Sequence, residues 1–141
     1  MGRILAIDYG AKRTGIAVTD SLQIIAGGLT TVNTSQLLVF LKNYIAKEEV
    51  DCIVIGMPMT MKGDPSENAC RTKRFIKILT QEFPCKPIVQ YDERFTSALA
   101  HRAMIDSGIG KKARQNKALV DEISATIILQ SYMEEKRNKN I

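Results

Sequence analysis

Short continuous apolar runs, bounded by charged residues and glycines, recur along the chain: ILAI at 4–7, IAV at 16–18 and CIVI at 52–55. Runs of this length between turn formers read as strands buried on both faces. They predict strands over residues 3–9, 14–19 and 51–56, another over 23–32 interrupted by Gly27 and Gly28, and one in PIVQYDE from Pro87. The short links among the first three suit an antiparallel meander. Elsewhere the period changes. Within 35–47, Leu37, Leu38, Leu41, Tyr44 and Ile45 fall at helical spacing. Asp64, Pro65 and Glu67 have the form of a helix start, an acid at the N-cap with proline at the first helical position. The helix they open turns Phe75, Ile76 and Leu79 inward and ends before 84–87. Further helices are predicted over 97–105, stopped at Ser107-Gly108, and from Leu119 to about Glu135, after which KRNKN reads as a frayed tail.

The resulting order, βββαβαβαα, predicts an α/β fold with one mixed sheet: an antiparallel opening meander, then strands made parallel by the helices between them, with helices on both faces. A length of 141 residues suits a single domain, taken as 1–136 with a short basic tail at 137–141. No apolar stretch approaches the ~20 residues of a membrane span, so a soluble cytoplasmic protein is expected. The three cysteines, Cys52, Cys70 and Cys85, lack metal or redox spacing and fit a reducing compartment. The single histidine, His101, excludes a multi-imidazole zinc site and reads as a helix-surface residue. Any catalysis is therefore expected to run on carboxylates. The formal charge of +5 favours a polyanionic partner, nucleic acid first.

Acids fall where such a sheet would gather them. Asp8 ends the first strand, Asp92 and Glu93 end the last, and Asp121 opens the final helix on one stripe with Ala125, Ile128 and Tyr132. Parallel strands put their C-terminal ends on one edge, where open α/β sheets place their sites. Clustered carboxylates without histidine or thiol favour Mg²⁺ or Mn²⁺, and two such ions can drive phosphodiester hydrolysis. Adjacent strand residues point to opposite faces, so spacing alone does not choose between Asp92 and Glu93. Lys12 and Arg13 stand beside Asp8 and could hold a phosphate. Lys111, Lys112, Arg114 and Lys117 form a cationic loop just before Asp121. Arg71, Lys73, Arg74 and Lys77 read as a solvated helix face.

The segments AIDYGAKRTGIAVTD, VIGMPMTMKG, YDERFTSALA and VDEISATIILQSYME together resemble the YqgF family over nearly the whole chain. These are ribonuclease H-like proteins similar to Holliday-junction resolvases and proposed to mature the precursor of small-subunit ribosomal RNA. The resemblance implies a ribonuclease H-like five-stranded sheet. It also implies a metal-dependent hydrolase acting at the 5′ end of pre-16S rRNA, and it carries the acidic metal and catalytic positions onto Asp8, Glu93 and Asp121. A resolvase acting on branched DNA is the alternative. An actin-like ATPase or sugar kinase, whose phosphate loop also begins Asp-x-Gly, would need a second lobe that 141 residues do not supply. A non-catalytic binding module would not need the three acids. With no long apolar stripe left over, a monomer or weak homodimer is expected.

Overall fold

The computed structural model describes residues 2–57, 67–92 and 117–139, without the side chains of 67–68, 92, 117–119 and 137–139. Five strands form one sheet: β1 (Arg3–Asp8), β2 (Arg13–Thr19), β3 (Ala26–Asn33), β4 (Val50–Met57) and β5 (Ile88–Asp92), in the spatial order β3-β2-β1-β4-β5. β1, β2 and β3 pair antiparallel, and β4 and β5 run parallel to β1. The expected mixed sheet is therefore present. The central place of β1 explains why Ile4, Leu5, Ala6 and Ile7 are all apolar and all buried: a strand covered on both faces has no solvent side for a polar residue.

Alternation along β1 then divides the core in two. Leu5 and Ile7 face α1 (Leu37–Lys47) and α2 (Glu67–Glu82), packing with Leu37, Leu41, Phe75 and Leu79. Ile4 and Ala6 face α3 (Lys117–Lys139), packing with Ala125, Ile128, Leu129 and Met133. Truncating a buried Leu or Ile in either layer to Ala removes about 2–5 kcal/mol of stability. The α3 side of β1 and β2 is paved with small residues, Ala6, Gly15 and Ala17, which lets that helix lie close to the sheet.

Three elements have boundaries more than one residue from the sequence expectation. Residues 23–25 are not part of β3. The Asp20 carboxylate accepts hydrogen bonds from the backbone N–H groups of Leu22, Ile24 and Ile25 at 3.3, 2.7 and 2.9 Å, which closes a loop instead of a ladder. Those bonds also hold the exposed Asp20 carboxyl below its usual range. Gln23 takes a left-handed φ of 58° within this loop, and its side chain donates to Gly2 O at 2.6 Å. Before α1, residues 34–36 form a 3₁₀ turn (Thr34–Gln36), so the α-helix proper begins at Leu37. α3 begins at Lys117 and continues to Lys139, absorbing most of the expected tail. The Asp64–Pro65 helix start, the helix over 97–105 and His101 lie outside the described residues. No helix among the described residues is long and apolar enough to cross a membrane.

Candidate active site

Because β1, β4 and β5 are parallel, Asp8, Met57 and Asp92 end their strands on one edge of the sheet, and the β1–β2 turn lies on that edge too. Thr34 fastens the turn. Its N–H donates to Lys12 O at 2.9 Å and its hydroxyl to Gly10 O at 2.7 Å. The same hydroxyl lies 2.9 Å from that of buried Thr14, so the hairpin carrying Lys12 and Arg13 is held from below.

Asp8 follows Ile4 and Ala6 on the α3 face, and its cross-strand partner is Gly15. A Cβ at Gly15 would run into the backbone carbonyl of Asp121 and come within 2.9 Å of Glu122 N. The second turn of α3 therefore rests directly on Gly15, one strand away from Asp8. A glycine inside a strand commonly marks such an approach of backbone to backbone. It is the signal in the sequence that could have placed Asp121 beside Asp8, since an added methyl would force the two apart.

The electrostatics follow from that closeness. Burial first, and the Asp121 charge second, push the Asp8 carboxyl up from 3.8 to about 7. Asp121 in turn accepts from Arg13 Nε at 3.2 Å, an ion pair whose side chains are 37% and 25% exposed. Partial exposure limits what that pair contributes, because water screens it. Arg13→Gln is accordingly expected to change stability by less than about 1 kcal/mol in denaturant unfolding. A loss above about 2 kcal/mol would make the pair a structural element.

Of the residues singled out in the sequence, Asp8, Asp121 and Arg13 come together, and Lys12 is exposed on the fastened turn beside them. Asp121 lies in the second turn of α3, not at its start, so a helix-dipole role at the first turn does not account for it. On β5, Val89 and Tyr91 take the α3 face, and Asp92 is in register with Met57. Lys117 begins α3, its side chain not described; Glu93, Lys111, Lys112 and Arg114 lie outside the described residues. Among the described residues no three Asp, Glu, His or Cys side chains gather as a metal cluster. One contact had no sequence signal. Tyr9, next to Asp8, stacks on Phe75 of α2 with ring centroids 4.9 Å apart and planes at 23°, tying α2 to the same edge.

Comparison with known proteins agrees with this architecture. A relative in Bacteroides thetaiotaomicron, named "Putative pre-16S rRNA nuclease", is 60% identical over 137 residues, covering 97% of this chain and 99% of its own. Relatives of the same name in Phocaeicola vulgatus and Flavobacterium johnsoniae are 61% and 56% identical over the same coverage. A family model described as RuvX, Holliday junction resolvase, matches residues 2–135. A match spanning every strand of the sheet and most of the helix that brings Asp121 over Gly15 means that this chain belongs to the RuvX family.

Proposed function

We propose that this chain is a metal-dependent nuclease that hydrolyses phosphodiester bonds in processing the 5′ end of pre-16S rRNA. The observation that carries the reading is the Asp8–Asp121 pair at the sheet edge, where burial first and the neighbouring Asp121 charge second push Asp8 up to about 7. A fold gains nothing from forcing two acids together unless something cationic relieves them. Among the described residues the donor set fits a hard divalent ion: carboxylate oxygens, with no histidine or thiol beside them. Asp8 and Asp121 would hold Mg²⁺ or Mn²⁺, with Glu93 as the third acid. The name of the relatives supports the ribosomal substrate.

In this reading the chain's own groups do the following. Gly15 lets the helix set Asp121 against Asp8 and so fixes the spacing of the donors. Arg13 keeps its Nε on Asp121, which leaves its terminal amino groups to grip a phosphate oxygen. Lys12 adds a second cation on a turn that Thr34 holds rigid. Lys111, Lys112, Arg114 and Lys117, just ahead of Asp121 in sequence, would add phosphate contacts. The bound metal supplies charge neutralisation at the phosphate and a water acidified enough to attack it.

The family description favours a second reading, resolution of branched DNA, and one assay separates the two. Purified protein is incubated with Mg²⁺ or Mn²⁺ and single-stranded RNA, duplex RNA, a four-way DNA junction or a precursor ribosomal RNA fragment. Cleavage of the precursor exceeding junction resolution is expected. Light scattering at micromolar concentration is expected to show a monomer or weak dimer, since paired symmetric cuts would call for a stable two-fold dimer. A stable dimer that nicks the junction symmetrically and leaves RNA intact reverses the assignment. Glu93→Gln is expected to fold as the wild type does and to lose cleavage.

A further inference from the structure

We propose that the exposed face of α2 is a second binding surface for the sugar-phosphate backbone of the nucleic acid, extending its path over the sheet edge away from Asp8 and Asp121. The inference rests on the nuclease reading above and adds a surface to it. Along α2, Ala69, Thr72, Phe75 and Leu79 are buried, while Arg71, Lys73, Arg74 and Lys77 are all exposed. None of these cations pairs with an acid among the described residues. The ion pairs found there are Arg3–Glu48, Arg13–Asp121 and Lys42–Glu82, so Glu82, the one acid of α2 among its described side chains, is already engaged at 3.4 Å. Arg71 and Arg74 are three residues apart and Lys73 and Lys77 four, spacings at which like charges on a helix repel.

What distinguishes this face from an ordinary solvated one is where it sits. Lys86, just past the end of α2, donates from Nζ to Val50 O at 2.6 Å, which places the helix C-terminus by the start of β4. The first turns of α2 are therefore at the opposite edge, where β1, β4 and β5 end. The Tyr9–Phe75 stack ties the third turn of α2, just after Arg71 and Arg74, to the residue that follows Asp8. Arg13 holds the α3 side of that edge and the α2 cations hold the other. From Arg71 to Lys77 the helix rises about 9 Å, a span of roughly two to three nucleotides. The aromatic ring on this helix, Phe75, is turned inward, so contacts here go to phosphates and not to stacked bases.

The test measures salt dependence of binding by fluorescence anisotropy, without divalent metal so that no cleavage occurs. The probes are a short fluorescein-labelled single-stranded RNA and a short labelled DNA duplex. Arg71→Gln/Arg74→Gln is compared with Lys47→Gln/Lys136→Gln, which removes the same net charge from exposed positions at the opposite edge of the sheet. The α2 pair is expected to flatten the log–log salt slope by about 1.4 with single-stranded RNA or about 1.8 with duplex, and the control pair to leave it unchanged. Arg71→Lys/Arg74→Lys should restore the wild-type slope, which separates lost charge from lost folding. Equal slopes in the two neutralised pairs, with wild-type binding intact, would overturn the α2 surface alone. Failure of the wild-type protein to bind either probe would overturn it together with the nuclease reading.

Discussion

Asp8→Asn is expected to abolish metal-dependent cleavage while making the metal-free protein more stable at neutral pH. The two effects have one cause. In the folded chain the Asp8 carboxyl titrates at about 7, whereas in the unfolded chain it returns to 3.8. Between these values the folded state holds a proton that the unfolded state has lost. Stability contributed by this group is therefore highest in acid, falls as pH rises through that window, and is lowest above about 7. The difference corresponds to at most about 4 kcal/mol. An amide cannot ionise and mimics the protonated acid in shape, so the variant escapes the penalty. Thermal unfolding in chelator at acid and at mildly alkaline pH tests it. Relative to wild type, the variant should gain little at the acid end and most at the alkaline end. The ligand is lost with the charge, and with it the chemistry. Wild-type cleavage by the purified variant would remove Asp8 from the mechanism. A gain in stability of the same size at both ends would show that Asp8 is not the titrating group.

Gly15→Ala should damage the protein at one point in two ways. The added methyl would enter the backbone of Asp121, which sits inside a helix and cannot swing aside as a flexible side chain can. Overpacking of this kind costs about 1–3 kcal/mol, and the rigid neighbour argues for about 3. What relief is possible comes from lifting α3, which carries Asp121 away from Asp8. A displacement of about 1 Å in a catalytic group can cost about a hundredfold in rate. The expected outcome is a folded, weakened enzyme with a large loss of kcat. At Gly28 a Cβ meets the Glu122 carboxylate, 2.5 Å away at Oε1, which can rotate. At Gly27 it meets nothing within 4 Å, so Gly27→Ala should be neutral in chemical denaturation and in activity. Equal effects at Gly15 and Gly27 would refute the close-approach account.

The basic face of α2 bears on how both results are measured. If its cations hold the strand, binding survives in Asp8→Asn and in Gly15→Ala while cleavage does not. Titrating substrate at fixed salt would then show kcat falling with KM little changed.

Much of the fold was legible from the chain by itself, for reasons of periodicity. A strand covered on both faces must be apolar throughout, so ILAI and CIVI announced β1 and β4 without reference to anything distant. Short links and intervening helices then determined which strands run antiparallel and which parallel. The position of Asp8 at a strand end was equally local. Boundaries were misread where side chains intervened. Nothing in the apolar stretch Ile24–Ile25 reveals that Asp20 captures its N–H groups, because that competition is won by loop geometry and not by composition. That Asp8 and Asp121 converge on one edge was expected from strand ends and helix stripe, but how closely they meet was decided by the tertiary structure. Asp8 and Asp121 are separated by most of the chain, and their proximity depends on α3 crossing over a strand residue with no side chain. The attachment of α2 to the same edge likewise depends on two rings, Tyr9 and Phe75, that share no sequence pattern. Local periodicity specifies what each segment is, because it reflects one residue and its near neighbours. Juxtaposition of charges depends on how closely two backbones can approach, and that is a property of the packed molecule.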